Sequence, residues 1–142
     1  VYIADTQAGT ADLIRSTDAV EAGGKLADCT AGSGGHAQAI LEGLNREGRL
    51  LAVDRDPDAL ERCRARLHPW ADQCTLVHGN YAQLARLAQE HGFERFDGIL
   101  MDLGVSSPQL DQAERGFSFQ ADAPLDMRMD QTESVTAADW VN

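Results

Sequence analysis

Residues 25–44 read KLADCTAGSGGHAQAILEGL and contain the unit from which the fold is built. The apolar run Lys25–Thr30 predicts a short buried strand, and Ala31–Gly35 is a glycine-rich turn. The segment Ala37–Leu44 places apolar residues at helical spacing, which predicts a helix. A strand that turns through glycines into a helix is the start of an open α/β sheet.

The same alternation continues along the chain. Further strands are predicted at Arg49–Val53, Cys74–Val77 and Phe96–Met101, with helices at Asp58–Leu67 and Tyr81–Glu90. Short connections between these elements require parallel strands with right-handed crossovers, and therefore a doubly wound parallel sheet. Such sheets bind ligands at the carboxyl ends of their strands.

The segments outside this alternation are less regular. Residues Thr10–Val20 predict a helix before the first strand. About thirty residues after Gly104 show no regular pattern until a helix is expected at Ser134–Val141. A loop of that length in a compact domain is usually functional or disordered.

Composition bounds the class of protein. With 142 residues, 43% of them hydrophobic, the chain is expected to fold as one domain with one core. No apolar run is long enough to cross a bilayer and no signal peptide is visible, so a cytoplasmic protein is expected. The odd number of cysteines, without metal-ligand spacing, predicts reduced and mostly buried thiols at Cys29, Cys63 and Cys74.

The charge balance is unusual for a nucleic-acid-binding protein. The net charge is −11, and the residues from Phe93 onward include ten acids and three arginines. A domain that binds RNA by itself is usually basic, so any basic surface is expected outside this chain. Arg62, Arg64 and Arg66 are interpreted as the solvated face of a helix.

The glycine turn admits three ligand classes. A triphosphate-binding loop needs Gly-Lys-Ser/Thr, whereas Lys25 is the only lysine in the chain. A dinucleotide remains open, because Gly32-x-Gly34-x-x-Ala37 satisfies the GxGxxG/A pattern. S-adenosylmethionine is also open, because Asp28 at the start of the turn suits its cationic methionyl end. A tight turn without a ligand is the plain alternative.

Three further residues follow strands or begin a helix. Asp54 ends the second strand, where a carboxylate accepts hydrogen bonds from both ribose hydroxyls, while Asp56 suits the helix N-cap better. Tyr81 is placed either to cover an adenine ring or to pack in the core. His36 lies at a helix start, where the dipole disfavours a charged imidazole, and a cofactor-orienting role is favoured over proton transfer.

Other chemistries are not favoured. No Ser-His-Asp order or GxSxG motif is present, which argues against a hydrolase. No metal site is predicted, and Asp111, Glu114, Asp126 and Asp130 lack EF-hand spacing and are interpreted as a solvated acidic loop.

Five segments together resemble one family. CTAGSGGHAQAIL, LLAVDRDP, HGNY, FDGILMDLGVSSPQLDQAERGFSF and PLDMRMD are similar to the ribosomal RNA small subunit methyltransferase H family, also called MraW-like. The resemblance covers about Gly24–Asp130. It implies a Rossmann-like class I fold, with S-adenosyl-L-methionine as cofactor and methylation of N4 of a cytidine in small-subunit (16S) ribosomal RNA.

The resemblance also implies roles for individual residues. Gly34, Gly35 and His36 would contact the cofactor. Asp54 would hold the ribose, and Tyr81 stands where the family places an aromatic residue beside the adenine. Asp102 and Gln109 would complete the cofactor pocket, to which the turn residues Asp28 and Gly32 also belong. From its position after the fourth strand, Asp102 is expected, with Ser106, Ser107 and Pro108, to lie near the target amine.

The chain also departs from the family pattern. The His that the family carries before its first strand is absent from Val1–Val20. Residues 1–133 are interpreted as the first part of the methyltransferase domain and 134–142 as the start of an inserted helical domain. Four strands of a seven-stranded fold are then expected here, which would leave an exposed edge and an unfinished active site.

Several expectations about partners and activity follow. Small-subunit ribosomal RNA is the expected partner of the full-length enzyme, and no membrane is expected. One alternative is a truncated module that binds cofactor, or pairs with a second copy of itself, without catalysis. A nucleotide-dependent dehydrogenase is a third hypothesis, supported only by the glycine pattern and Asp54.

Overall fold

The computed structural model describes the backbone of Ile3–Ala4 and residues 23–142 in full. The helix predicted at Thr10–Val20 lies outside the described residues. The chain divides into two compact units, Val1–Leu103 and Gly104–Asn142.

The first unit is built on a parallel sheet with the order β1-β5-β2-β3-β4. Its strands are β1 (Ile3–Ala4), β2 (Lys25–Asp28), β3 (Arg49–Asp54), β4 (Cys74–His78) and β5 (Gly98–Leu100). The four predicted strands are confirmed, with ends that differ by up to two residues. The predicted number of four strands is corrected to five in the described part of the chain, because Ile3 and Ala4 form a further strand that pairs with Ile99 and Leu100.

Three helices cover the sheet. They are α1 (Gly35–Gly43), α2 (Pro57–Leu67) and α3 (Leu84–Glu90). The predicted helix from Tyr81 is split, because Tyr81–Gln83 forms a 3-10 turn in which the Asn80 side chain accepts a hydrogen bond from the Ala82 amide. A second 3-10 turn, His68–Trp70, follows α2.

The sheet is buried on both faces, which explains the continuous apolar sequence of β3. Leu50 and Ala52 pack with α1 and α2 through residues such as Ile40. Leu51 and Val53 belong to a second core cluster that contains the α3 residues Leu87 and Ala88. Since helices lie on both faces, the predicted doubly wound architecture is confirmed.

The second unit confirms the predicted helix at Ser134–Val141 and corrects part of the predicted thirty-residue loop. It contains α4 (Ser107–Asp111), a 3-10 turn at Ala113–Arg115 and α5 (Ala137–Val141). Two polar side chains of this unit are buried, since Gln109 is 5% exposed and Arg115 is 2% exposed. The Arg115 guanidinium donates to the carbonyl oxygens of Arg128 and Met129, at 3.2 and 3.0 Å. Periodicity did not predict this unit because its order depends on such contacts rather than on an apolar stripe.

The predicted solvated acidic loop is also corrected in part. The Asp126 carboxylate is partly buried and pairs with Arg128 at 2.6 Å, and hydrogen bonds from Arg128 lower the pKa of Asp126. Asp130 accepts from the amide and the hydroxyl of Thr132. The domain boundary expected at residue 134 stays a prediction.

Candidate functional site

The predicted site residues of the first unit lie at the carboxyl edge of the sheet. The chain winds from β2 to β3 and β4 in one direction, and then returns to place β5 on the other side of β2. The carboxyl ends of β2 and β5 therefore flank the topological switch point, where open α/β sheets bind ligands. Asp28, Asp54 and Asp102 lie at the ends of β2, β3 and β5, so three carboxylates converge on this edge.

The glycine turn after β2 is fixed to the end of β3. The Gly32 amide donates to Asp54 Oδ2 at 2.7 Å, and the Ala31 amide donates to the Val53 carbonyl at 3.0 Å. Gly32 has a φ of +52°, and an added Cβ would meet no atom closer than 3.8 Å. The backbone at Gly32 thus faces open space, as a turn that receives a ligand must.

The next two glycines face a helix. A Cβ on Gly34, whose φ is +85°, would lie 3.0 Å from Cys63 Sγ, and one on Gly35 would lie 3.3 Å from Arg66 Nη1. The side on which their side chains would project is therefore occupied by α2, and glycine lets α1 and α2 pack closely. Gly34 and Gly35 therefore have a packing role against α2, and their cofactor contacts stay predictions.

Asp28 is the most buried acid of the site, with no exposed surface. Its Oδ1 accepts from the Thr30 amide at 3.0 Å, whereas its Oδ2 has no hydrogen-bond partner among the described residues. Burial, helped by the carboxylates of Asp54 and Asp102 and opposed by the Thr30 hydrogen bond and His36, raises the pKa of Asp28 to about 6. A buried carboxylate oxygen without a partner is costly unless a ligand or a cation satisfies it.

Asp54 has a structural role that the sequence did not reveal. One oxygen holds Gly32, and Oδ1 accepts from the Asp56 amide at 2.9 Å. The predicted N-cap role of Asp56 is confirmed, because its side chain accepts from the amides of Asp58 and Ala59. Since each carboxylate oxygen accepts more than one hydrogen bond and Asp54 is partly exposed, the ribose role stays open to it.

Asp102 is held by two residues from other elements. Its amide donates to Thr30 Oγ1 at 2.8 Å, and its Oδ2 lies 3.1 Å from His36 Nε2. Asp102 and His36 were predicted as separate site residues, and Thr30 was not among the predicted site residues. The signal that was available is the position of Thr30, a hydroxyl residue two places after the acid that ends β2.

Tyr81 follows β4 at the same edge of the sheet. Its side chain is 38% exposed, which argues against the alternative of simple core packing. The ring is available to a planar ligand, and its place beside an adenine stays a prediction.

The remaining predicted residues belong to the second unit. Ser106 precedes α4, which begins with Ser107 and Pro108, and the buried Gln109 accepts from the Ser106 amide at 2.9 Å. The local structure gives these residues a role in starting a helix, as Pro in the first turn favours. Their predicted places near cofactor and target amine stay predictions.

All three cysteines lie in the first unit. The prediction of mostly buried thiols is confirmed, because Cys29 and Cys63 are buried, Cys74 is partly buried and all three are free. Burial raises the pKa of each thiol to about 12. No cluster of three metal-ligating side chains occurs among the described residues. In that same part of the chain, no helix is long and apolar enough to span a membrane.

Comparison with known proteins gives consistent matches. The model of the MraW methylase family matches residues 10–142. A ribosomal RNA small subunit methyltransferase H from Thermobifida fusca is 58% identical over 118 residues, which cover 81% of this chain and 34% of that protein. The protein of the same name from Symbiobacterium thermophilum is 51% identical over 124 residues, covering 87% of this chain and 39% of that protein. The chain thus matches between a third and two fifths of these relatives' length.

Solved structures support the fold. A protein-L-isoaspartate O-methyltransferase superposes with a TM-score of 0.55 at 16% identity, over 71% of this chain and 31% of that one. A candidate rRNA methylase from Clostridium thermocellum superposes with a TM-score of 0.51 at 19% identity, over 61% and 46%. The predicted Rossmann-like class I methyltransferase fold is confirmed.

Proposed function

The chain belongs to the MraW methylase family, and on this premise we propose that it supplies the cofactor-binding part of an S-adenosylmethionine-dependent enzyme that methylates N4 of a cytidine in small-subunit ribosomal RNA. The observation that carries the proposal is the convergence of Asp28, Asp54 and Asp102 on the carboxyl edge of the sheet, around the open glycine turn. Family membership removes the dehydrogenase hypothesis, which had rested on the glycine pattern and Asp54 alone.

The residues present fit this cofactor. Asp28 Oδ2 is buried without a partner among the described residues, so an ammonium or sulfonium group nearby would satisfy it. Gly32 leaves room for close approach of a ligand to the backbone. Asp54 would accept hydrogen bonds from the ribose hydroxyls, and the exposed ring of Tyr81 would cover the adenine. His36 would complete the pocket with Asp102.

The bound cofactor supplies an electrophilic methyl group. The exocyclic amine of cytosine is a weak nucleophile, because its lone pair is delocalised into the ring. The protein therefore has to hold N4 in line and accept hydrogen bonds from its protons. Asp102 is proposed as that acceptor. The target base has to be unpaired or flipped to reach such a site.

The charge of the chain limits what it does alone. With a net charge of −11, these residues are poorly suited to attract an RNA backbone. The chain also spans only 34% and 39% of two relatives. The basic surface that binds ribosomal RNA is therefore proposed to lie outside this chain. A cofactor-binding module without catalysis, alone or paired with a second copy, is the second candidate.

Calorimetric titration of the purified chain with S-adenosylhomocysteine tests cofactor binding. We expect micromolar binding that is lost in Asp54→Ala and kept in Asp72→Ala. Asp72 is an exposed acid that precedes β4, so it lies at the amino edge of the sheet, opposite the proposed site. Its replacement by alanine removes the same charge as Asp54→Ala. Equal binding by both variants, or equal binding of NADH, would contradict the proposed site.

A methyl-transfer assay tests whether this chain catalyses by itself. The chain is incubated with S-adenosylmethionine and small-subunit ribosomal RNA, and the digested RNA is searched for N4-methylcytidine by mass spectrometry. Formation of that nucleoside supports the enzyme. Cofactor binding without any methylated RNA would show that this chain alone does not catalyse, and its size in solution would then show whether it pairs with a second copy.

A further inference from the structure

We propose that Thr30 and His36 are positioning residues, and that both act on the site through Asp102. This inference deepens the proposed function and rests on it, because it concerns the same cofactor-binding edge. It assigns a role to Thr30 and gives His36 a role different from the direct cofactor contact that the family resemblance implies.

The position of Asp102 shows why it needs support. Asp102 follows β5 after one residue, in a segment without regular secondary structure, and its side chain is 42% exposed. A partly exposed carboxylate on irregular backbone samples several rotamers unless other groups hold it. A site that has to present an oxygen in one direction therefore needs contacts that fix both backbone and side chain.

The two observed contacts divide this work. Thr30 Oγ1 accepts from the Asp102 amide at 2.8 Å and fixes the backbone. His36 Nε2 lies 3.1 Å from Asp102 Oδ2 and fixes the carboxylate. An ionised carboxylate only accepts hydrogen bonds, so this contact requires that Nε2 carries the proton. The Oδ1 atom of Asp102 is then the oxygen that we propose for contact with a ligand.

Both supporting residues are themselves held. The Thr30 amide donates to the buried carboxylate of Asp28 at 3.0 Å, and the adjacent Cys29 amide donates to the Leu100 carbonyl at 2.9 Å. His36 is the second residue of α1, so its backbone belongs to a regular helix. A continuous chain of hydrogen bonds thus joins the end of β2, the residues after β5 and the start of α1.

A conservative pair of variants tests Thr30. Thr30→Val keeps the shape of the side chain but removes the acceptor, whereas Thr30→Ser keeps the hydroxyl. We expect Thr30→Val to weaken S-adenosylhomocysteine binding by about two- to tenfold, the value of one hydrogen bond, and Thr30→Ser to restore it. Thr75→Val, a change of the same kind on β4, is the control and should leave affinity unchanged.

A double-mutant cycle tests whether His36 acts through Asp102. If it does, His36→Ala weakens binding in the native background but has little further effect in the Asp102→Ala background. Additive losses would mean that His36 contacts the cofactor by itself, and would overturn the inference. Normal binding by Thr30→Val would overturn it as well. Circular dichroism of each variant shows whether it has folded.

A ligand-free measurement separates this inference from the proposed function. In the purified chain, the imidazole nitrogen resonances of His36 should show a protonated Nε2, and Asp102→Ala should shift that resonance. If the native chain binds no S-adenosylhomocysteine but shows this signature, cofactor binding by the chain fails while the hydrogen-bond arrangement stands. If His36 is unaffected by Asp102→Ala, the inference fails whatever the chain binds.

Discussion

His36 Nε2 and Asp102 Oδ2 are 3.1 Å apart, although 66 positions separate the two residues in the sequence. His36 lies in the first turn of α1 and Asp102 follows β5, so the contact spans the switch point of the sheet. It exists because β2 and β5 are parallel neighbours, with Asp28 opposite Leu100. Residues that follow the two strands are thereby brought to one place, where α1 also starts.

The buried carboxylate of Asp28 predicts a pH dependence of stability. Burial raises the pKa of Asp28 from 3.8 to about 6, so the folded state holds a proton that the unfolded state has already released between these values. Stability therefore falls as the pH rises through this window, and stays low above it. From pH 5 to pH 7.5 we expect a loss of about 1 kcal/mol from this residue.

Urea unfolding of the native chain and of Asp28→Asn at the two pH values measures this effect. The asparagine variant cannot ionise, so its stability should fall less over the same range. It should also bind S-adenosylmethionine more weakly, because the buried negative charge is gone. Parallel pH profiles for the two proteins would show that Asp28 does not titrate as described.

The carboxylate of Asp54 predicts a coupling between the end of β3 and the stability of the glycine turn. Asp54→Ala removes the acceptor of the Gly32 and Asp56 amides and should cost about 1–3 kcal/mol of unfolding free energy. Asp54→Asn keeps one acceptor oxygen and should cost less. Chemical denaturation measures both, and amide exchange at Gly32 should accelerate in the alanine variant. An unchanged exchange rate at Gly32 would contradict the bond.

Gly116 predicts a sharp steric effect in the second unit. Its φ is +73°, and an added Cβ would lie 2.6 Å from the Pro124 carbonyl oxygen and 2.8 Å from the Asp126 amide nitrogen. Both neighbours are backbone atoms, so Gly116→Ala should loosen the unit by more than the roughly 1 kcal/mol expected for positive φ alone. Hydrogen exchange of the Met127 amide, which donates to the Arg115 carbonyl, reports the loss.

Gly92→Ala is the matched control for this change. Gly92 has a φ of +77°, but an added Cβ would meet no atom within 4 Å. Its substitution should cost only the conformational strain. Equal losses of stability for the two variants would mean that the close contacts of Gly116 do not exist in solution.

Arg115 predicts that guanidinium geometry, rather than charge alone, stabilises the second unit. Its Nη2 donates to the carbonyls of Arg128 and Met129, and the ammonium of the shorter lysine side chain does not reach the position of Nη2. Arg115→Lys should destabilise the unit by about 1–3 kcal/mol, because these partly buried carbonyls lose their donor. Arg95→Lys, at an exposed position, should be neutral. Hydrogen-exchange mass spectrometry over residues 113–141 compares the two, and equal protection would contradict the prediction.

The sequence by itself determined the alternation of strands and helices. Apolar spacing reports which residues face the core, and glycines report where a strand turns into a helix, so β2, β3, β4 and β5 were predictable to within a few residues. The acids that end β2 and β3 could be predicted as candidate site residues for the same reason, because their position depends only on where each strand ends.

Only the tertiary structure decided which side chains hold one another. The bond between Thr30 and Asp102 joins residues 72 positions apart and depends on the pairing of β2 with β5. The short helices Ser107–Asp111 and Ala113–Arg115 of the second unit were not predicted for a related reason. The order of this unit comes from a buried arginine that reaches carbonyls 13 and 14 residues away, and no periodic pattern records such a contact. Hydrophobic periodicity encodes local elements, whereas hydrogen bonds between distant residues exist only once those elements have packed.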